Sequence, residues 1–97
     1  MEQADLLVLH MRPLGKSAEG LIENRDGGHA DERETSVMLA LDPRSVRMDR
    51  LKLDGSFEAT GATGDPTRAT AFKGERLLAA RIDDLVAALE KRWPDLA

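Results

Sequence analysis

The first apolar run of the chain, Leu6-Leu7-Val8-Leu9, is closed by Arg12-Pro13 and Gly15. Its length and its Pro and Gly boundary predict a strand buried on both faces, as in an α/β sheet. Ser17 to Asn24 predict a short helical turn with Leu21 and Ile22 facing inward. Asn24-Arg25-Asp26-Gly27-Gly28 reads as a loop, because paired glycines admit positive φ and cost backbone entropy in regular elements. The densest polar stretch, His29 to Ser36, then feeds Val37-Met38-Leu39-Ala40-Leu41, a buried helix ending at Asp42 because Pro43 disfavours helical geometry before it. Residues 44–65 alternate irregularly, with a turn at Asp54-Gly55 and a weak strand around Ser56 to Thr60. The last element is the clearest. Ala71, Leu78, Ile82, Leu85, Val86, Leu89 and Trp93 share one stripe at helical spacing, Pro66 lies near its start, and Pro94 stops it. Gly74 interrupts that helix early, either as a mild cost or to let another backbone approach closely.

Composition narrows the class. With 97 residues the chain is long enough for one small domain, residues 1–97, with a thin core. Phe57, Phe72 and Trp93 are its only aromatics, so aliphatic side chains do the packing. A net charge of −4 with acids and bases intermixed gives no basic stripe, which argues against a nucleic-acid partner. The absence of cysteine excludes disulfides and thiolate metal sites and fits a reducing cytoplasm. The opening residues lack a signal-peptide pattern, and no apolar run reaches the ~20 residues of a membrane span. The expectation is a cytoplasmic protein without a membrane partner.

Candidate chemistry concentrates in His29 to Ser36. One histidine, three carboxylates (Asp31, Glu32, Glu34) and two hydroxyls follow a glycine pair and lead into an apolar helix. Imidazole with carboxylate suits Zn, Mn or Fe, and hard carboxylates suit Mg or Mn. The same residues also read as N-terminal helix charges, with Thr35 or Ser36 bonding the backbone and His29 in solvent. His10, at the end of the first predicted strand, reads more simply as a packed or solvated residue, and Asp65 before Pro66 as a turn residue.

Gly27-Gly28-His29-Ala30-Asp31-Glu32-Arg33-Glu34-Thr35-Ser36, running on through Val37 to Leu41 and a proline, resembles the Gly-His-Ala-Gly-Glu-x-Glu-Thr-Ser segment of the creatininase family. Pro43 to Asp49 is similar to that family's x-Pro-x-x-Val-Arg-Met-Asp tail. A second block, Gly64-Asp65-Pro66-Thr67-Arg68-Ala69-Thr70-Ala71 with Lys73-Gly74-Glu75, resembles the start of its terminal helix. The resemblance implies a metal-dependent amidohydrolase that cleaves a cyclic or formyl amide C–N bond, in an oligomer with a three-layer α/β/α fold. It implies that His29 transfers protons beside a divalent metal, with Glu34 supporting or ligating it; residue type adds Asp31 and Glu32 as further candidate ligands and Zn, Mn, Fe or Mg as the ion.

Two departures qualify what the resemblance implies. Asp31 stands where the family has glycine, and the family's first-half ligand segments (an early Glu-x-His, a following Asp and a Gly-His-Gly-Gly-Asn block) do not occur. The fold expectation is therefore α/β: a partial three-layer α/β/α arrangement with few strands, an open strand edge and a long C-terminal amphipathic helix. The functional expectation is a hydrolase segment incomplete on its own, needing a second copy or a complementary hydrolase subunit before it meets a small amide substrate. The alternative is a non-catalytic, truncated relative acting as an assembly or interaction module.

Overall fold

A computed structural model describes residues 14–51 and 61–96 of the chain. Two α-helices and four 3-10 turns account for 63% of these residues, and no strand occurs among them. This corrects the α/β expectation, and with it the three-layer arrangement. A sheet forms when strands exchange backbone hydrogen bonds. Here the described segments meet instead through helix packing and side chain–backbone bonds. The Leu6–Leu9 run, the Ser56–Thr60 stretch, the Asp54-Gly55 turn and His10 lie outside the described residues.

Helix α1 spans Glu32–Leu41 and is capped by Asp31, whose side chain accepts from the Glu34 amide. Asp42, followed by Pro43, closes it, as the sequence predicts. The buried face of α1 is polar, made of Glu32 and Ser36, while Met38 and Leu41 are exposed. The apolar run thus places the helix but not its inward face. Helix α2 spans Ala71–Arg92, about 33 Å at 1.5 Å per residue. Thr70 caps it by accepting from the Lys73 amide, and Ser36 Oγ accepts the Thr70 amide at 3.1 Å. Trp93 ends the helix, with the Arg92 guanidinium 5.2 Å from the centre of its ring.

The two helices cross at Gly74. A β-carbon there would overlap the Ser36 carbonyl, so only glycine permits this approach. Of the two readings of Gly74, close approach is the one realised. Ala18, Ile22, Leu77 and Ala80 form the core, with Val37 packed against it. Ala18 sits in the 3-10 turn Lys16–Leu21, where the sequence predicts a short helical turn; Ile22 is buried beside it and Leu21 only half so. Gly74, Leu77 and Ala80 are the buried residues of α2, and Leu77 is 0% exposed. The predicted stripe lies roughly a third of a turn away at 100° per residue, with Ile82 57% exposed and Leu85, Val86 and Leu89 also outward.

Candidate functional site

The loop of residues 27–31 runs against residues 61–66. Gly28 has φ 112°, and a β-carbon on it would lie 2.8 Å from the Gly64 nitrogen. A β-carbon on Gly64 would in turn lie 2.6 Å from that of Asp31. Side chains are excluded on both sides of the crossing, and the two backbones touch. The His29 amide donates to Thr63 Oγ1 at 2.8 Å, and the His29 carbonyl accepts from the Thr63 and Gly64 amides at 3.0 and 2.8 Å. Ala30, with φ 58°, is the one non-glycine residue in the left-handed region among the described residues. Such a conformation costs about 1–3 kcal/mol and persists only when its surroundings enforce it. Helix α1 supplies that enforcement: Glu34 Oε2 accepts the Ala30 amide at 2.7 Å, and Thr35 Oγ1 donates to the Ala30 carbonyl at 3.2 Å.

The candidate carboxylates have distinct local duties. Asp31 caps α1 through Oδ1 and faces Arg33 with Oδ2 at 3.4 Å. Glu32 is fully buried and accepts from the Glu23 and Asn24 amides and from Lys73 Nζ, the last at 2.8 Å. Burial pushes its carboxyl up, but the bonds from Asn24, Lys73 and Glu23 outweigh that and hold it below the ordinary range. Arg33 grips both oxygens of Glu19, and this hydrogen bonding lowers the Glu19 carboxyl. Asp65 forms the predicted turn by accepting the Thr67 amide at 2.8 Å and also accepts from Asn24 Nδ2 at 2.9 Å. Hydrogen bonds from Thr67 lower its carboxyl.

His29 is exposed, and no hydrogen bond joins its imidazole to another described residue. Among the described residues no three His, Asp or Glu are gathered where they would hold a metal ion. Glu32 lies against an ammonium group, Asp31 is committed to its cap and to Arg33, and Glu34 is turned back on Ala30. These residues therefore do not by themselves fit a metal centre. Lys73, quoted only as part of the second block, and Thr63 are not singled out as site residues by the sequence. Lys73 carried a signal, since a cation in the first turn of a helix opposes the dipole and calls for a specific carboxylate. Thr63 carried none, because its partner is thirty-four residues away.

The two motif blocks thus close on each other, through His29 with Thr63–Gly64, Glu32 with Lys73, and Ser36 with Thr70 and Gly74. The family model described as creatinine amidohydrolase matches residues 3–89. The chain belongs to the creatininase family. The match takes in both blocks and reaches nearer the N-terminus than they do. Among curated proteins, the mycofactocin precursor peptide peptidase of Mycobacterium tuberculosis (strain ATCC 25618 / H37Rv) is 34% identical over 107 residues. That alignment covers 79% of this chain and 43% of the relative. The protein of the same description from Mycobacterium ulcerans (strain Agy99) is 32% identical over 105 residues, covering 89% of this chain and 42% of the relative. The chain therefore spans less than half the length of the curated relatives it matches. Both alignments also exceed its 97 residues, so the relatives carry segments inside the matched region without a counterpart here. No solved structure matches the chain. The creatininase family is generally metal-dependent, and no helix of the described residues is long and apolar enough to cross a membrane.

Proposed function

We propose that this chain contributes the His29 segment of a creatininase-type hydrolase acting on an amide C–N bond. A complementary half or partner subunit completes the site and brings most of the ligands for a divalent metal. One observation carries this reading: the two matched blocks close around His29, whose imidazole makes no hydrogen bond among the described residues, while the nearby carboxylates are engaged. Amide cleavage requires a proton for the departing nitrogen, and an exposed imidazole on a braced loop is suited to deliver it. The relatives are peptidases of a precursor peptide, so a peptide bond in a short peptide is the first substrate class to try, ahead of cyclic or formyl amides. The setting proposed is the cytoplasm, with no nucleic acid involved.

The test is elemental analysis of the purified chain, alone and with the complementary half, beside peptide hydrolysis by the pair. The expected result is little metal on the chain alone, stoichiometric metal on the pair, and hydrolysis abolished by His29→Ala. Hydrolysis by the pair that survives His29→Ala would overturn the assignment. A second reading is a non-catalytic assembly module, favoured by the outward Ile82, Leu85, Val86 and Leu89 of α2. It predicts an oligomer by light scattering that His29→Ala leaves unchanged and Leu85→Asp disrupts.

A further inference from the structure

We infer that Thr63 is a positioning residue for His29, acting with the Gly64 amide as a clamp on both polar ends of the His29 backbone. The inference rests on the reading of His29 as the proton-transfer group. Three hydrogen bonds make the clamp, and all of them come from the Thr63-Gly64 dipeptide. Two run from the Thr63 and Gly64 amides to the His29 carbonyl, are main chain at both ends, and survive most substitutions. The third, from the His29 amide to Thr63 Oγ1, depends on a hydroxyl at position 63.

The neighbours explain why this bond matters. His29 stands between Gly28 and Ala30, both at positive φ, so its Cα–Cβ direction is set by a local path that ordinary residues avoid. Ala30 is braced from α1 by Glu34 and Thr35, whereas the amide side of His29 is braced by Thr63. An exposed loop carrying an exposed imidazole would otherwise sample many directions, and proton transfer tolerates little misplacement. Both residues are exposed, so water replaces the lost acceptor without restoring the geometry. The substitution thus separates position from stability: Thr63→Ala loosens His29 while the fold is retained.

The experiment compares Thr63→Ala and Thr63→Ser in the full chain by amide hydrogen exchange and thermal unfolding. Exchange at His29 is expected to rise roughly tenfold in Thr63→Ala, the factor a lost hydrogen bond carries in a local opening. Thr63→Ser restores it, and the unfolding midpoint stays within a few degrees. In the completed hydrolase, Thr63→Ala lowers kcat with KM unchanged, and Thr63→Ser recovers it. Exchange at His29 that does not change in Thr63→Ala overturns the inference, whether or not a substrate is in hand, as does failure of serine to rescue. If His29→Ala leaves hydrolysis intact, the reading of His29 fails instead, and the exchange result identifies which of the two was wrong.

Discussion

Where residues 22–36 meet residues 63–74, acceptors and donors face each other at every turn: Glu32 with Lys73 and two amides, Ser36 with the Thr70 amide, Asn24 with Asp65. From eight residues further along α2, Ile82, Leu85, Val86 and Leu89 point outward and are 37–57% exposed. The usual placement is reversed, with charge inside one region and aliphatic surface outside the other. The polar junction holds the two family blocks in register and is self-sufficient. None of the ridge residues belongs to the buried core of the described residues, so a larger stabilising role for the ridge requires another surface. Substitutions in the two regions should therefore differ sharply in cost, and the ordering of those costs tests the contrast.

The largest expected effect is Glu32→Ala. It leaves the half-buried Lys73 ammonium and two amides without their acceptor, and breaking such a pair costs about 3–5 kcal/mol. Urea unfolding measures it, and a loss below about 1 kcal/mol would class the junction with ordinary surface pairs. Acid sharpens the comparison. The folded Glu32 carboxyl lies below its unfolded value, so its contribution is complete above the unfolded value and disappears as pH falls through the folded one. Glu32→Gln should flatten that limb of the stability profile. Glu19 and Asp65, lowered by Arg33 and Thr67 respectively, leave part of the acid sensitivity in place.

Next in size is Gly74→Ala, which drives a methyl group into the Ser36 carbonyl where α1 and α2 cross. Alanine is the better helix former, so propensity alone would stabilise α2. Overpacking against rigid backbone opposes this with about 1–3 kcal/mol, and thermal unfolding should show net destabilisation. A neutral or positive shift would mean that the helices can slide apart, and with them the two blocks. Arg33→Ala follows, at about 1 kcal/mol, since its paired bonds to Glu19 are only half-buried.

These residues also mark what was legible in the sequence. Both helices, their ends at Asp42 and Trp93, and the turn at Asp65 could be read because caps, prolines and periodicity are local signals. The family was legible in two short blocks. The sheet rested on the Leu6–Leu9 run and the Ser56–Thr60 stretch, which lie outside the described residues, and on the family's three-layer fold; the described residues do not carry it. At the site, residue type revealed a cluster but not who uses each lone pair. Glu32 as a buried acceptor, Asp31 as a cap and Glu34 as a brace depend on amides placed by folding, and on Lys73 forty-one residues away. The inward face of α2 escaped notice because Gly74 and Ala80 are small, while the larger residues of the other face dominate any count of hydrophobic spacing.

The smallest effect is expected on that other face. Ile82→Asp removes an aliphatic group that is already 57% exposed and adds a charge beside Asp83, both changes occurring largely in water. Such surface substitutions ordinarily stay within about 0.5 kcal/mol, so urea unfolding of the dilute chain should hardly shift. The same measurement on Leu77→Ala, one and a half turns away and 0% exposed, should lose about 2–5 kcal/mol. A large loss at Ile82 in dilute protein would mean that the ridge is covered by part of this chain. A loss that grows with protein concentration, because only the unmodified ridge gains stability by association, would mean that a second copy covers it.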